Sequence, residues 1–312
     1  MGNNYGTSWM QITRKINLSI LVLLVLGIFF SAKFFIPFKK SNKDCGLRSD
    51  EIGKFVTVPA GSFLMGSKPK YLEEMPQRTV FVESFMIQIH EITNDEFARF
   101  IAATGYRTTA ERKGGSALFI PENVNKDTEQ NSWWQFKPMI TWWQPEGSGS
   151  DIAGKGNHPV VHVSWEDAQA YARWAKARLM TEEEWEYAAT LGMTETGNPD
   201  SGATGTNCEL LANFWQGSFP EQNLATDGFT GLSPAGCFPP SKIGTYDMIG
   251  NVWEWTSTEF GKNRYTIKGG SYLCSHDFCH RYRPTARQGI EFDVSTSHIG
   301  FRLAKDIDKN QQ

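Results

Sequence analysis

Hydrophobic and polar positions divide the chain into an apolar N-terminal block, a polar connector, and a long region in which short periodic segments alternate with aperiodic ones. The block runs from Ile16 to Phe38 behind Arg14-Lys15, the order in which export signals and signal anchors begin. It reaches the roughly 20 residues needed to span a bilayer only if Lys33 snorkels and Phe34 to Phe38 are counted in. Basic residues stand on both sides, Arg14-Lys15 before it and Lys33, Lys39, Lys40 and Lys43 after it, so charge counting alone favours the opposite topology to the one an export signal gives. A cleaved signal and a retained anchor both stay open, with the rest of the chain expected outside the cytoplasm. The expected organisation is 1–15 as n-region or cytoplasmic tail, 16–38 as signal or anchor, 39–53 as linker, 54–305 as folded domain and 306–312 as tail.

Inside that domain, FVTVPAGSFLMGS and TVFVESFMIQIHEIT alternate with the period of strands and read as a pair. Thr93 or Asn94 caps a helix with Phe97, Phe100 and Ile101 on its apolar face and Gly105 at its end. Ser164 with Asp167, and Thr181 with Glu184, are capping boxes that start two more helices. No period is visible from Ala110 to Gly156, where Trp133, Trp134, Trp142 and Trp143 sit among polar residues, nor from Gly192 to Gly244. Aperiodic stretches this long are usually functional or ordered by ligands.

Composition sharpens the picture. Aromatic residues make up 13% of the 312 residues and glycines number 29, which suits an α+β fold rich in loops pinned by large rings. With 31 Lys and Arg against 34 Asp and Glu, the formal charge of −3 provides no field for nucleic acid. Five cysteines are too few for a disulfide-built scaffold, so each must be argued by position.

Cys274 and Cys279 are the pair with chemistry around them. In IKGGSYLCSHDFCHRYRPTAR they are flanked by His276, His280, Arg281, Arg283 and Arg287, and cationic neighbours raise a thiol's thiolate fraction. Two nearby thiolates are soft donors suited to copper(I), while a tetrahedral zinc site needs two further ligands. A short structural disulfide has equal standing on spacing alone. His158 and His162, in HPVVHVSW, have no carboxylate to complete a metal triad and read as structural.

GGSYLC, four residues, then C-x-RYR-x-x-AR resembles the active-site segment of the formylglycine-generating enzymes. PAGSFLMGS, W-x-P-E-G, HPVVHVSWEDAQAYARWAKARLMTEEEWEYAA, GNVWEWT and HIGFRLAK are similar to that family's signatures in the same order, from about Lys54 to Lys305. The resemblance implies a loop-rich sulfatase-modifying-factor fold of α+β class, low in regular secondary structure and related to C-type-lectin-like folds.

It also implies an activity: oxidation by O2 of a cysteine within a Cys-x-Pro-x-Arg segment of sulfatases, bound as extended unfolded polypeptides. Cys274 and Cys279 would hold Cu(I), Ser271 would sit beside the substrate cysteine, and Trp253, Phe278, Arg287 and His298 would line the substrate site. Two structural Ca2+ sites follow in the same way. Asn213, Asp227 and the carbonyls of Phe214 and Phe229 form the first; Asp247, Glu254 and the carbonyls of Gly250 and Val252 form the second. Oxygen donors of this kind are what calcium takes. Cys208 and Cys237 flank the first calcium loop and are expected as a disulfide, leaving Cys45 a lone thiol in the linker.

The chain departs from the family in places. His298 stands where Asn is usual, and its imidazole brings an expected pH dependence near neutrality. Phe278 replaces a tyrosine, Asp247 an Asn, and ATLGMTETGNPDSG the usual Pro-Trp-Gly. Much of the pattern also marks non-catalytic relatives, which commonly lack the cysteine pair; this chain keeps both. An iron-dependent sulfoxide synthase would need a two-His-one-carboxylate site from an added helical domain, and nothing before Lys54 offers one.

Overall fold

The computed structural model describes residues 45–121, 133–193 and 202–307. The segments 1–15 and 16–38, the first part of the 39–53 linker and the end of the tail lie outside them. Among the described residues no helix is long and apolar enough to cross a membrane.

The two alternating runs pair, and each breaks once. Phe55–Val58 (β1) and Gly61–Met65 (β2) part at Pro59, which has no N–H to give a ladder. Arg78–Val82 (β3) and Phe85–Gln88 (β4) part at Glu83 and Ser84. β1 pairs antiparallel with β4, and β2 with β3.

The three expected helices are present: α1 (Asn94–Thr104), α3 (Trp165–Trp174) and α4 (Glu182–Gly192). In each, the side chain of Thr93, Ser164 or Thr181 accepts from the third helical N–H, and the acid there bonds back to the cap's own N–H. A fourth box, Thr108 with Glu111, starts a short helix α2 (Thr109–Lys113) that the sequence reading passed over. The same aperiodic stretch hides a hairpin of Gly115–Phe119 (β5) and Trp134–Pro138 (β6). Beyond it, Trp253–Gly261 (β7), Arg264–Lys268 (β8), Arg287–Glu291 (β9) and Ile299–Gly300 (β10) form one sheet in the order β10-β7-β8-β9. Ala304–Asp306 (β11) returns to β4, so the last strand closes on the first sheet. The architecture is α+β with little regular structure.

Aromatic packing holds these pieces together. Phe97 of α1 is fully buried, with its ring 5.3 Å from Trp142, 5.4 Å from Phe100 and 5.8 Å from Tyr171. A second cluster joins Val58, Phe85 and Ile87 of β1 and β4 to Trp185 and Ala188 of α4. Buried ions add anchors: Lys268 Nζ lies 2.8 Å from Glu186, and Arg302 Nη2 lies 2.6 Å from Glu254. Such pairs add little net stability, but losing one partner strands a buried charge.

Asp167 shows how a local cap becomes a tertiary anchor. Its carboxylate accepts from the N–H of Ser164 at 2.9 Å, the N–H of Thr109 at 2.9 Å and the hydroxyl of Tyr106 at 3.0 Å. Asp167→Ala would leave the buried N–H groups of Ser164 and Thr109 unpaired, and the expected loss is about 3 kcal/mol, read from urea unfolding. A loss below about 1 kcal/mol would mean the donors find other partners.

The disulfide expectation is overturned. Cys45 bonds Cys237, and Cys208 is a free, exposed cysteine. Cys208–Cys237 lie closer in sequence, but Leu47 N donates to Ala235 O at 3.0 Å, and that contact brings the Cα atoms of Cys45 and Cys237 to 4.8 Å. The compact unit accordingly begins at Cys45, so residues assigned to the linker pack onto it: Leu47 and Glu51 are buried. The bridge fits an oxidising, extracytoplasmic compartment.

Candidate active site

β8 runs out at Lys268 into Gly269-Gly270, and the second glycine is required by its surroundings. At φ 70°, a Cβ there would stand 2.7 Å from Arg281 O and Tyr282 N. That close approach lays Ser271–Cys274 alongside the returning segment that begins at Cys279. Cys274 N donates to Ser271 O at 2.9 Å, and Trp215 N to Cys274 O at 3.0 Å, fixing one thiol. Ser275 Oγ accepts from Phe278 N at 2.9 Å and turns the chain so that Cys279 faces back.

The two sulfurs end 2.9 Å apart, both reduced. Cys274 is 1% exposed and Cys279 partly so. Burial pushes the Cys274 thiol well up, whereas the hydrogen bond from Cys274, and after it the charge of Arg281, holds Cys279 below its ordinary value. The pair is thus biased toward a Cys279 thiolate accepting from a Cys274 thiol.

Both sulfurs open into a cavity of about 210 Å³ lined by Ser271, Trp253, Phe278, His298, Arg281 and Gln288, with Phe119, Trp133, Trp134 and Phe219 as aromatic walls. Its size suits a side chain or a short extended segment more than a whole drug-sized ligand. Two roomier cavities, about 370 and 380 Å³, hold no thiol and so lack the chemistry. Phe278 stacks on Phe219 at 4.5 Å and meets Trp133 edge-on at 5.4 Å. The tryptophans of the aperiodic stretch were visible in the sequence, but nothing local assigned them to the cysteines.

Four points at the site need restating. Arg287 is not at the cavity: its guanidinium pairs with Glu182 at 2.7 Å and lies 4.9 Å from the centre of the Phe260 ring. The residues lining the cavity include no carboxylate for a substrate arginine, and Asp277 is held by Ser275 Oγ and Phe219 N. His298 lines the cavity, 4.5 Å from the Trp134 ring, but burial, with His162 nearby, pushes it down to about 3, so it stays neutral where activity would be measured. His276 and His280 face each other at 5.2 Å rather than completing a zinc site.

Buried His162 has a measurable consequence. It contacts Ser116 Oγ at 2.9 Å and Pro145 O at 3.0 Å, and burial lowers its pKa from 6.5 to about 3. Between those values the unfolded chain takes up a proton that the fold refuses, so this contribution is complete above pH 6.5 and is lost as pH falls. On going from pH 7.5 to 4.5 it should amount to about 2–3 kcal/mol. His162→Asn, which suits the left-handed backbone at φ 58°, should lessen the acid loss by that amount in paired urea titrations. Equal acid losses in both proteins would exclude His162 as the cause.

The first set of calcium oxygens is partly drawn together. Asp227 Oδ2 and Phe214 O both accept from the Gln216 side-chain amide, and Asp227 Oδ1 accepts from Phe229 N at 2.9 Å. Asn213 instead directs its amide N–H to Gly231 O and Asn251 Oδ1. In the second set Asp247 Oδ1 is buried without a partner, while Arg302 and Trp185 occupy both oxygens of Glu254. Glu91, which the sequence reading missed, also has an unpartnered buried oxygen; burial first, then Asp247, raise its pKa well above the usual range. Three buried carboxyl groups facing one guanidinium cannot all stay ionised unaided, and a cation would offset their charge.

Comparison with known proteins agrees with this arrangement. The Sulfatase-modifying factor enzyme 1-like domain matches residues 42–307. A formylglycine-generating enzyme of Mycobacterium tuberculosis is 42% identical over 81% of this chain and 98% of its own length. An inactive Cα-formylglycine-generating enzyme 2 of Mus musculus is 40% identical over 82% of this chain and 87% of its own. PvdO from Pseudomonas aeruginosa has the same fold, with a TM-score of 0.58 at 23% identity over 81% of this chain and 94% of that one. The chain belongs to the formylglycine-generating enzyme, or sulfatase-modifying factor, family.

Proposed function

We propose that this chain oxidises a cysteine in a Cys-x-Pro-x-Arg segment of sulfatases to formylglycine, using copper(I) and dioxygen. The observation that carries the reading is the reduced pair, Cys274 and Cys279, 2.9 Å apart at the floor of an aromatic cavity. Two sulfur donors match a soft ion of low coordination better than zinc, which takes four ligands. Copper(I) held by Cys274 and Cys279 would supply the one-electron chemistry with dioxygen that no side chain offers.

The chain's own groups do the rest. Cys279 carries the more readily formed thiolate and Cys274 donates to it. Ser271, fully buried at the cavity, stands beside the position of an incoming thiol, and Trp253, Trp133 and Phe219 exclude water from it. Phe278, 39% exposed, presents an apolar face to an extended client. The net conversion of the cysteine side chain (–CH2–SH) to the aldehyde (–CHO) and hydrogen sulfide consumes one O2 with two electrons and two protons and yields one water, so a reductant such as a thiol must be a co-substrate.

The same reading assigns structural Ca2+ to the Asn213–Phe229 and Asp247–Glu254 sets, and export to the 16–38 segment as anchor or cleaved signal. Calcium at about 100 times its dissociation constant should add about 2.7 kcal/mol per site, read as a rise in Tm that EDTA reverses. A Tm indifferent to both would remove the assignment.

Mass spectrometry of a Cys-x-Pro-x-Arg peptide, incubated with the copper-loaded protein, a thiol reductant and oxygen, tests the reading. Copper-dependent conversion of the cysteine to the aldehyde is expected. An unchanged peptide would favour a second reading, a non-catalytic membrane-tethered scaffold, whose motivation is the inactive relative at 40% identity.

A further inference from the structure

The loop between β2 and β3, residues 66–77, crosses to the segment that carries Cys279 and makes a series of contacts there. Tyr71 Oη donates to Cys279 O at 2.9 Å, and Lys70 Nζ lies 3.2 Å from the His280 ring. Arg281 lies 4.0 Å from the centre of the Tyr71 ring and pairs with Glu73 at 2.5 Å. Glu74, 4% exposed, pairs with Arg283, 1% exposed, and Glu73 O accepts from Arg287 at 3.2 Å. The partners are about two hundred positions apart, as with Tyr71 and Cys279, separated by 208.

These contacts fall where the backbone needs them. Cys279 and His280 both have positive φ, 70° and 30°, a conformation that side chains with a Cβ adopt reluctantly and keep only when surroundings enforce it. The local turn alone supplies Ser275 O and Phe278 O as acceptors for His280 N. The remaining constraint comes from the loop, which engages the carbonyl of Cys279 and the side chains of the next residues.

We infer that Tyr71 and Glu73 are positioning residues for Cys279: they hold the Cys279–His280 backbone in its left-handed turn and so aim the second sulfur at the first. Neither touches a sulfur; both act through Cys279 O and Arg281. The assignment of a role in catalysis rests on the oxidase reading, but the geometric claim does not. Leu72 and Met75 in the same loop, 86% and 54% exposed, face solvent and should have no part in it.

The test measures the two thiols directly, without copper or substrate, in a Cys208→Ser background. The equilibrium between the Cys274–Cys279 dithiol and its disulfide, poised against dithiothreitol, reports the effective concentration of one thiol at the other. Tyr71→Phe removes only the hydroxyl and keeps the ring beneath Arg281; Glu73→Gln removes the charge and keeps the shape. Together they should lower that effective concentration about tenfold, with a smaller fall in each single variant. A value within about twofold of the parent would overturn the inference. So would an equal fall in Leu72→Ala or Met75→Ala, which would make the effect one of general loop stability. Should the double variant fail to fold, Tyr71→Phe alone carries the comparison. Loss of peptide oxidation with an unchanged thiol equilibrium would likewise count against positioning, while leaving the oxidase reading intact.

Discussion

Cys274→Ser and Cys279→Ser are each expected to reduce conversion of a Cys-x-Pro-x-Arg peptide by more than about a hundredfold while leaving the chain folded. Loss of an outer group around a metal typically costs about 10–100-fold, and each of these changes removes one of only two proposed donors. The folded state should tolerate them, because a hydroxyl is smaller than a thiol and neither sulfur is in a disulfide. Cys274, 1% exposed, pays more than Cys279: a serine there buries a hydroxyl in place of a weakly polar thiol, a cost of about 1 kcal/mol. Peptide mass spectrometry, a Cu(I) chelator competition and a thermal melt on the same samples separate the outcomes. Normal turnover by either variant would end the oxidase reading, and unfolding of both would return the pair to a structural role.

The second large effect belongs to the Cys45–Cys237 bridge. It joins residues 192 positions apart, and a loop of that length limits the unfolded chain by up to about 5 kcal/mol in the chain-entropy account. Measured effects of native bridges usually fall at about 2–5 kcal/mol, and Cys45→Ser should lie in that range by urea unfolding. Removal also leaves the 45–53 segment tied down only by contacts such as Leu47 N to Ala235 O and Tyr246 Oη to Glu51. Cys208→Ser, at an exposed free thiol, should change stability by less than about 0.5 kcal/mol. The reverse ranking would show that Cys208, not Cys45, is the partner of Cys237.

Helix starts were legible in the sequence because a capping box is closed within four residues: Thr93, Ser164 and Thr181 each find their partner acid three positions on. The pairing of the two alternating runs was legible for a related reason, since period-two alternation marks strands and the two runs are neighbours in sequence. Short elements escaped. The β5–β6 strands are five residues each, too short for their rings, Phe119, Trp134 and Phe136 on one face, to stand out as a period, and α2 is shorter still.

At the site, the sequence by itself determined the reactive pair, its cationic neighbourhood and the family, because Cys274 and Cys279 lie in one short segment whose glycines and arginines are contiguous with them. Tertiary structure decided the rest. Only folding turns Arg287 toward Glu182, 105 positions away, instead of toward substrate, and only folding buries His298 and His162 so that neither titrates near neutrality. It also chooses Cys45 over Cys208 and lays Tyr71 on Cys279 O. A residue's type and spacing set what chemistry it can do. Desolvation and long-range partners, which no local pattern encodes, set whether it does so at the site.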